Sequence, residues 1–308
     1  AIAQQTTVQQ PICLLALSTT GTALRTNGAP NSDFTGCSVM SDSASTCNGS
    51  NLKANYGLAA GTNNGCGNKQ KSNIPVVPDP YLAMAAKIPA NTCGSYQQET
   101  KHGSTYSGGI SWSGSQPLSG TTQMCGDVRL TGNVVINTPD NTTGAVLVIE
   151  NGQLDLNGFT LSTSNGSAVT IVFSGTTGGG YTHAPTDNST GQGGTLNIQA
   201  PSGSSALFPG MAIYQDPNLT TGVDITYKGN NPQLLISGGV YLPHANVQIS
   251  GNVAKSTNGA DCFVMITNTV LINGTSNIYQ QTPDGSGCKL AGLNMPSATI
   301  PGRAKLVF

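Results

Sequence analysis

Between Gln233 and Asn277 the chain is written in very short apolar runs, each closed by a turn-forming pair. Leu-Leu-Ile at 234–236 is followed by Ser-Gly-Gly, and Val-Tyr-Leu at 240–242 by Pro-His. Val-Gln-Ile at 247–249 is followed by Ser-Gly-Asn, and the run from Cys262 through Ile272 by Asn-Gly-Thr. β-Branched residues fill the runs and turn formers fill the gaps. No gap has room for a crossover helix, so the segment reads as a coil of short strands turning in one direction.

The same phrase recurs elsewhere: Leu130-Thr-Gly-Asn-Val, Leu156-Asn-Gly-Phe-Thr, Ile236-Ser-Gly-Gly-Val, Ile249-Ser-Gly-Asn-Val and Ile272-Asn-Gly-Thr-Ser. Each is an apolar residue, a small polar corner and a new strand. Gly and Asn tolerate the left-handed backbone that tight corners demand. Rungs that stack at about 4.8 Å would align inward residues as ladders. A rung of roughly 20–25 residues gives on the order of eight to ten rungs. The expected fold is therefore all-β, a right-handed parallel β-helix with a disulfide-rich N-terminal part and one short helix. The alternative is an antiparallel β-sandwich, whose hairpins would use the Asn-Gly pairs.

Composition agrees. Charged residues are 8% of the 308, against about 25% in ordinary soluble domains. Forty glycines and abundant Ser, Thr and Asn disfavour helix interiors. Strong runs at Ala145–Glu150 and Ala168–Ser174 argue against disorder. A formal net charge of −1 offers no field for nucleic acid.

The eight cysteines are Cys13, Cys37, Cys47, Cys66, Cys93, Cys125, Cys262 and Cys288. Their spacings fit no zinc or redox motif. They are read as four disulfides formed outside the cytoplasm. Nearest-in-order pairing is the simplest of many, and 262–288 is its firmest member. No apolar run reaches the roughly 18–20 residues of a membrane span, and no signal peptide opens the chain, so an exported protein would be in its mature or truncated form.

Three regions are expected: a polar tail at 1–12, a disulfide-rich β and loop region at 13–124, packed on or continuous with the coil, and the β-helix at 125–308. Asp79-Pro-Tyr-Leu-Ala-Met-Ala-Ala-Lys is the one expected helix, with Asp79 as N-cap and Pro80 at the first position. Ile2 and Val8 in the tail, with Leu306, Val307 and Phe308 at the other end, are expected to make assembly contacts, because β-helix ends carry open strand edges.

No catalytic residue, metal ligand or cofactor is assigned. Glu150 and Asp155 are the carboxylates closest to a glycosidase pair, which needs a separation of roughly 6.5–9.5 Å when inverting. Solvent-facing or turn positions are the simpler reading of both. His183 and Asp187 lie in the loop at 174–194, expected at the surface, and His244 is expected at an exposed corner. His102 fits no motif. Sequons at Asn48, Asn141, Asn165, Asn188, Asn218 and Asn273 matter only where the source glycosylates.

Several segments resemble a known family. They are Cys13-Leu-Leu-Ala-Leu, Thr22-Ala-Leu, Gly36-Cys37, Asp79-Pro-Tyr-Leu, Cys125-Gly-Asp-Val-Arg-Leu-Thr-Gly-Asn, Gly210-Met-Ala-Ile-Tyr-Gln-Asp, Gly239-Val-Tyr-Leu-Pro, Ile249-Ser-Gly-Asn and Cys262 through Leu271-Ile-Asn-Gly. In this order the text resembles the C-terminal extracytoplasmic region of TadG-like proteins of bacterial tight-adherence (Flp) pilus systems. The resemblance implies a cell-surface or extracellular component of pilus assembly, attachment and biofilm, without catalytic residues. The family's membrane-anchoring segment is absent from this chain. The implied partners are pilus components or other copies of the chain, and surface glycans. The alternative functions are a self-assembling fibre subunit and, third, a polysaccharide-active enzyme.

Overall fold

The structure is a computed structural model that describes residues 2–28, 31–48, 52–103, 105–177, 180–189, 193–220, 222–227, 233–250, 252–254, 259–274, 277–278 and 286–307. It is all-β, with two short helices among the described residues, Leu82–Lys87 and Ser286–Leu290. Almost all strands belong to one sheet system, paired in parallel from one turn of chain to the next.

Each turn contributes to three parallel stacks in the same order. Ala145–Glu150 lies in stack 1, Leu154–Asp155 in stack 2 and Thr160–Thr163 in stack 3. The next turn supplies Val169–Ser174, Pro185–Thr186 and Thr195–Gln199, each paired in parallel with its predecessor. Later turns repeat the order within single long strands. Gln233–Ile249 passes from stack 3 through 1 to 2, and Phe263–Gly274 from 1 to 2.

Corner chemistry follows the sequence. Asn157 (φ 48°) and Gly158 (φ 79°) both take the left-handed conformation between stacks 2 and 3. Gly126 (φ 112°) is also a close approach: a Cβ there would lie 2.0 Å from the Gln97 carbonyl oxygen.

In its middle turns stack 1 is buried on both sides, which is why Ala145–Glu150 and Val169–Ser174 read as unbroken apolar runs. Leu147 and Ile149 face the interior with Val128, Leu154 and Leu161. Val146 and Val148 face outward into a second core with Tyr214, Tyr241 and Phe208. That outer core is roofed by residues 74–88 and 288–300, through Ile74, Val77, Tyr81, Leu293 and Ile300.

The order of turns is not the order of the chain. From Leu14 the chain winds through Ser38–Ser41 and Gly57–Ala59 to Gln70–Lys71. It then runs back outside stack 1. On the way Val77 N donates to Asp42 Oδ1 (2.9 Å), Tyr241 Oη to Asp79 Oδ2 (2.6 Å) and Asn91 Nδ2 to Glu150 Oε2 (3.1 Å). Winding restarts at the opposite end with Ile110–Pro117 and proceeds to Asn277–Ile278. There the last turn meets the first strands: Leu14 pairs with Met265, Leu24 with Val270 and Ser32 with Ile278.

The N-terminal region is thus continuous with the coil and forms its final turns. The expected start near Cys125 falls inside the early turns, since Ile110–Pro117 already stacks on Val128–Asn137. The expected tail is half of an antiparallel ribbon, Ile2–Pro11 against Ser297–Val307. The expected helix is a 3-10 turn at Leu82–Lys87 without a side-chain cap; Asp79 Oδ1 instead accepts from Tyr81 N (3.1 Å). The disulfides are Cys13–Cys37, Cys47–Cys66, Cys93–Cys125 and Cys262–Cys288, the nearest-in-order set.

Candidate functional site: a covered carboxylate cluster and an open polar face

Alternation along stack 2 sends Val128 and Leu130 into the core and Arg129 outward. Register places Asp155 beside Arg129 on the next turn and Thr186 beside Asp155 on the one after. An antiparallel hairpin, Glu99–His102 with Thr105–Gly108, closes over this row. Arg129 Nη1 donates to the Tyr106 carbonyl, and Arg129 Nε lies 3.3 Å from Glu99 Oε1 and 3.7 Å from Asp155 Oδ2. The Glu99 side chain is 1% exposed, Asp155 0% and Arg129 21%.

The three aspartates at this site hold backbone from neighbouring turns, and Glu99 holds a side chain. Asp127 accepts from Glu99 N (2.7 Å) and Gln153 N (2.9 Å). Asp155 Oδ1 accepts from Asn157 N (3.0 Å) and Asn188 N (2.8 Å). Asp187 Oδ1 accepts from Gly158 N (3.0 Å). Gln153 Nε2 donates to Glu99 Oε2 (2.6 Å). Burial, and then the charges of Asp155 and Asp127, push Glu99 up to about 8, so it holds its proton at neutral pH. Burial also raises Asp127 and Asp155.

A second group lies at the corner between stacks 1 and 2. Glu150 is fully buried and pushed up to about 7 by burial, with Asp216 adding to the shift. His183 is fully buried at φ 51°, with its Nε2 3.4 Å from Asn151 Oδ1. Burial lowers it to about 4, so the ring is neutral at physiological pH. The expectation of a surface His183 is corrected: a polar sequence context did not show that the ring is sealed beneath Tyr181 (5.9 Å between centroids). His244 is half-buried, its Nε2 3.0 Å from the Pro217 carbonyl oxygen.

Glu150 and Asp155 end in different environments. Glu150 meets Asn91 and the charge of Asp216; Asp155 meets Arg129, backbone amides and the charge of Asp187. Both are fully buried, not the solvent-facing acids expected. Among the described residues, no three His, Cys, Asp or Glu side chains are grouped to hold a metal ion.

Glu150 gives a testable pH dependence. Its folded pKa lies above its unfolded value, so its contribution is full below about 4.5 and is lost as pH rises through about 7. Glu150→Gln is expected to flatten the fall in stability between pH 5 and pH 8 by about 3 kcal/mol. Urea titrations at the two pH values measure it; an unchanged slope would rule out the buried acid as the source.

The downstream half of stack 2 is different. Outward residues Asp224, Thr226, Asn246, Gln248, Thr269, Leu271 and Arg25 are half-buried or exposed, and no hairpin crosses them among the described residues. They line a trough of about 500 Å³. Asn246 Nδ2 donates to Asp224 Oδ1 (2.9 Å), and Asn246 Oδ1 accepts from Asn268 Nδ2 (2.8 Å) and Thr269 Oγ1 (2.9 Å). Sequence reasoning missed this row. Its signal was the polar–apolar alternation in Asp224-Ile-Thr226 and Asn246-Val-Gln248.

The expected assembly residues lie together. Ile2 pairs with Val307, Ala3 with Leu306 and Val8 with Ile300, within one chain. Val8 is 44% exposed, and Phe308 lies outside the described residues. Comparison with family models, curated proteins and solved structures finds no match.

Proposed function

We propose that the three stacks close into a right-handed parallel β-helix and that the chain is a non-enzymatic component of a bacterial surface appendage. In this reading it is a TadG-like protein acting in adhesion or assembly outside the cytoplasm. The observation that carries it is the burial of Glu99, Asp127, Glu150 and Asp155, which ties the coil together and keeps these four carboxylates from facing a cleft. What remains for function is a scaffold of stacked turns with a polar trough along stack 2. Four disulfides suit an oxidising compartment. None of the helices among the described residues is long and apolar enough to cross a membrane.

Beads coated with the chain are expected to attach to bacterial or host-cell surfaces under flow better than albumin-coated beads. The chain is expected to release no reducing sugar from a polysaccharide panel. Equal attachment by both bead types would remove adhesion, and sugar release would restore the enzyme reading.

A second reading, self-assembly, is favoured by the ribbon. No third strand pairs with residues 2–10 among the described residues, and an open edge is a template for another strand. Light scattering at rising concentration separates it from a monomeric adhesin.

A further inference from the structure

We infer that the open half of stack 2 is a binding site for a linear, uncharged, hydroxyl-rich glycan laid across the strands. The inference deepens the adhesion reading and rests on it. Register defines two outward columns. Asp224, Asn246 and Thr269 form one; Thr226, Gln248, Leu271 and Arg25 form the other. Ile225, Val247, Val270 and Leu24 stand between them and point into the core, which fixes the columns to a rigid base.

Spacing suits such a ligand. Successive turns present equivalent side chains about every 4.8 Å, close to the rise of one sugar in an extended glycan. Four turns therefore meet about three or four consecutive sugars. The trough, at about 500 Å³, falls in the size range of small-ligand sites.

Lining chemistry suits it as well. Amides, hydroxyls and one carboxylate offer mixed donors and acceptors, and Leu271 offers an apolar patch for a sugar's C–H face. Asn246 is already held by three hydrogen bonds, so little side-chain freedom is lost on binding. Asp224 and Arg25 stand on the first and last of these turns with uncharged residues between them. That field does not favour a polyanion such as nucleic acid. The shortage of apolar surface disfavours an amphipathic helix or a lipid surface. Upstream, the same stack is roofed by the 99–108 hairpin; here no such hairpin lies over the side chains among the described residues.

The experiment is calorimetry of the intact chain against linear hexasaccharides: β-1,4-glucan, β-1,3-glucan, α-1,6-mannan, β-1,4-linked N-acetylglucosamine and a hexauronide. At least one neutral hexasaccharide is expected to bind with submillimolar affinity. Asn246→Ala and Gln248→Ala, with unchanged circular dichroism, are each expected to weaken it at least tenfold. Lys53→Ala, an exposed change on stack 3, is expected to leave it unchanged. The proposal is overturned if no neutral hexasaccharide binds, if only the hexauronide binds, or if both trough variants bind like the parent. Bead attachment separates the two readings. Attachment unaffected by the trough variants keeps adhesion and sinks the site; hexasaccharide binding without attachment keeps the site and sinks adhesion.

Discussion

Arg129→Ala is expected to cost about 3–5 kcal/mol of stability, with the loss at pH 8 exceeding that at pH 5 by no more than about 0.4 kcal/mol, because Glu99 is already about half protonated at pH 8. At pH 8 the substitution leaves Asp155, and the ionised fraction of Glu99, buried without their counter-charge. It also removes the donor to the Tyr106 carbonyl and the 3.2 Å hydrogen bond from Nη2 to Asn157 Oδ1. The pH difference has a definite sign. Glu99 has a folded pKa of about 8, above its unfolded value, so acid keeps it neutral and alkali charges it. Without the guanidinium that folded pKa rises further, and the cost of forcing ionisation falls on the folded state. Denaturant titrations at pH 5 and pH 8 measure the difference. Adding Glu99→Gln to Arg129→Ala is expected to recover part of the loss at pH 8. No recovery on adding Glu99→Gln would mean that Arg129 acts only by pinning the hairpin.

Local structure was legible because each corner carries its own chemistry. Leu156-Asn-Gly-Phe-Thr announces a left-handed corner, and Asn157 and Gly158 supply it. Leu130-Thr-Gly-Asn-Val carries the same phrase but sits inside Val128–Asn137, with Gly132 outside the positive-φ set. The motif marks a place where the chain bends, not one backbone solution. Val146 to Ile149 announced burial on both sides, yet nothing local named the residues 74–88 that cover the outer side. The covered cluster was illegible for a similar reason. Glu99, Asp127, Arg129 and Asp155 come from separate turns and meet only once the register is known. Turn order was the hardest to read, because every turn offers similar apolar columns and only three-dimensional fit selects Leu14 to follow Met265.

That order makes residues 1–78 a detachable end of the coil, and a chain of residues 79–308 alone is expected to aggregate. Its last turn would expose strand edges in all three stacks, together with the inward side chains of Met265, Val270 and Ile272. It would also lose Ile74 and Val77 from the outer core. No disulfide crosses the joint: Cys13–Cys37 and Cys47–Cys66 lie on one side, Cys93–Cys125 and Cys262–Cys288 on the other. The joint is therefore held by packing and strand pairing. Four core side chains are paired across it, Leu14 with Met265 and Leu24 with Val270. At about 1.5–3 kcal/mol each they give on the order of 10 kcal/mol before the entropy of association is subtracted. The antiparallel ribbon adds a second tie, since Ile2–Pro11 belongs to one part and Ser297–Val307 to the other. Co-expressing the two fragments is expected to restore a soluble one-to-one complex, read by light scattering, with the β-sheet circular dichroism of the intact chain. If residues 79–308 stay monomeric and folded alone and show no affinity for residues 1–78, the joint contributes nothing to stability. The coil would then be two independent halves that happen to share a chain.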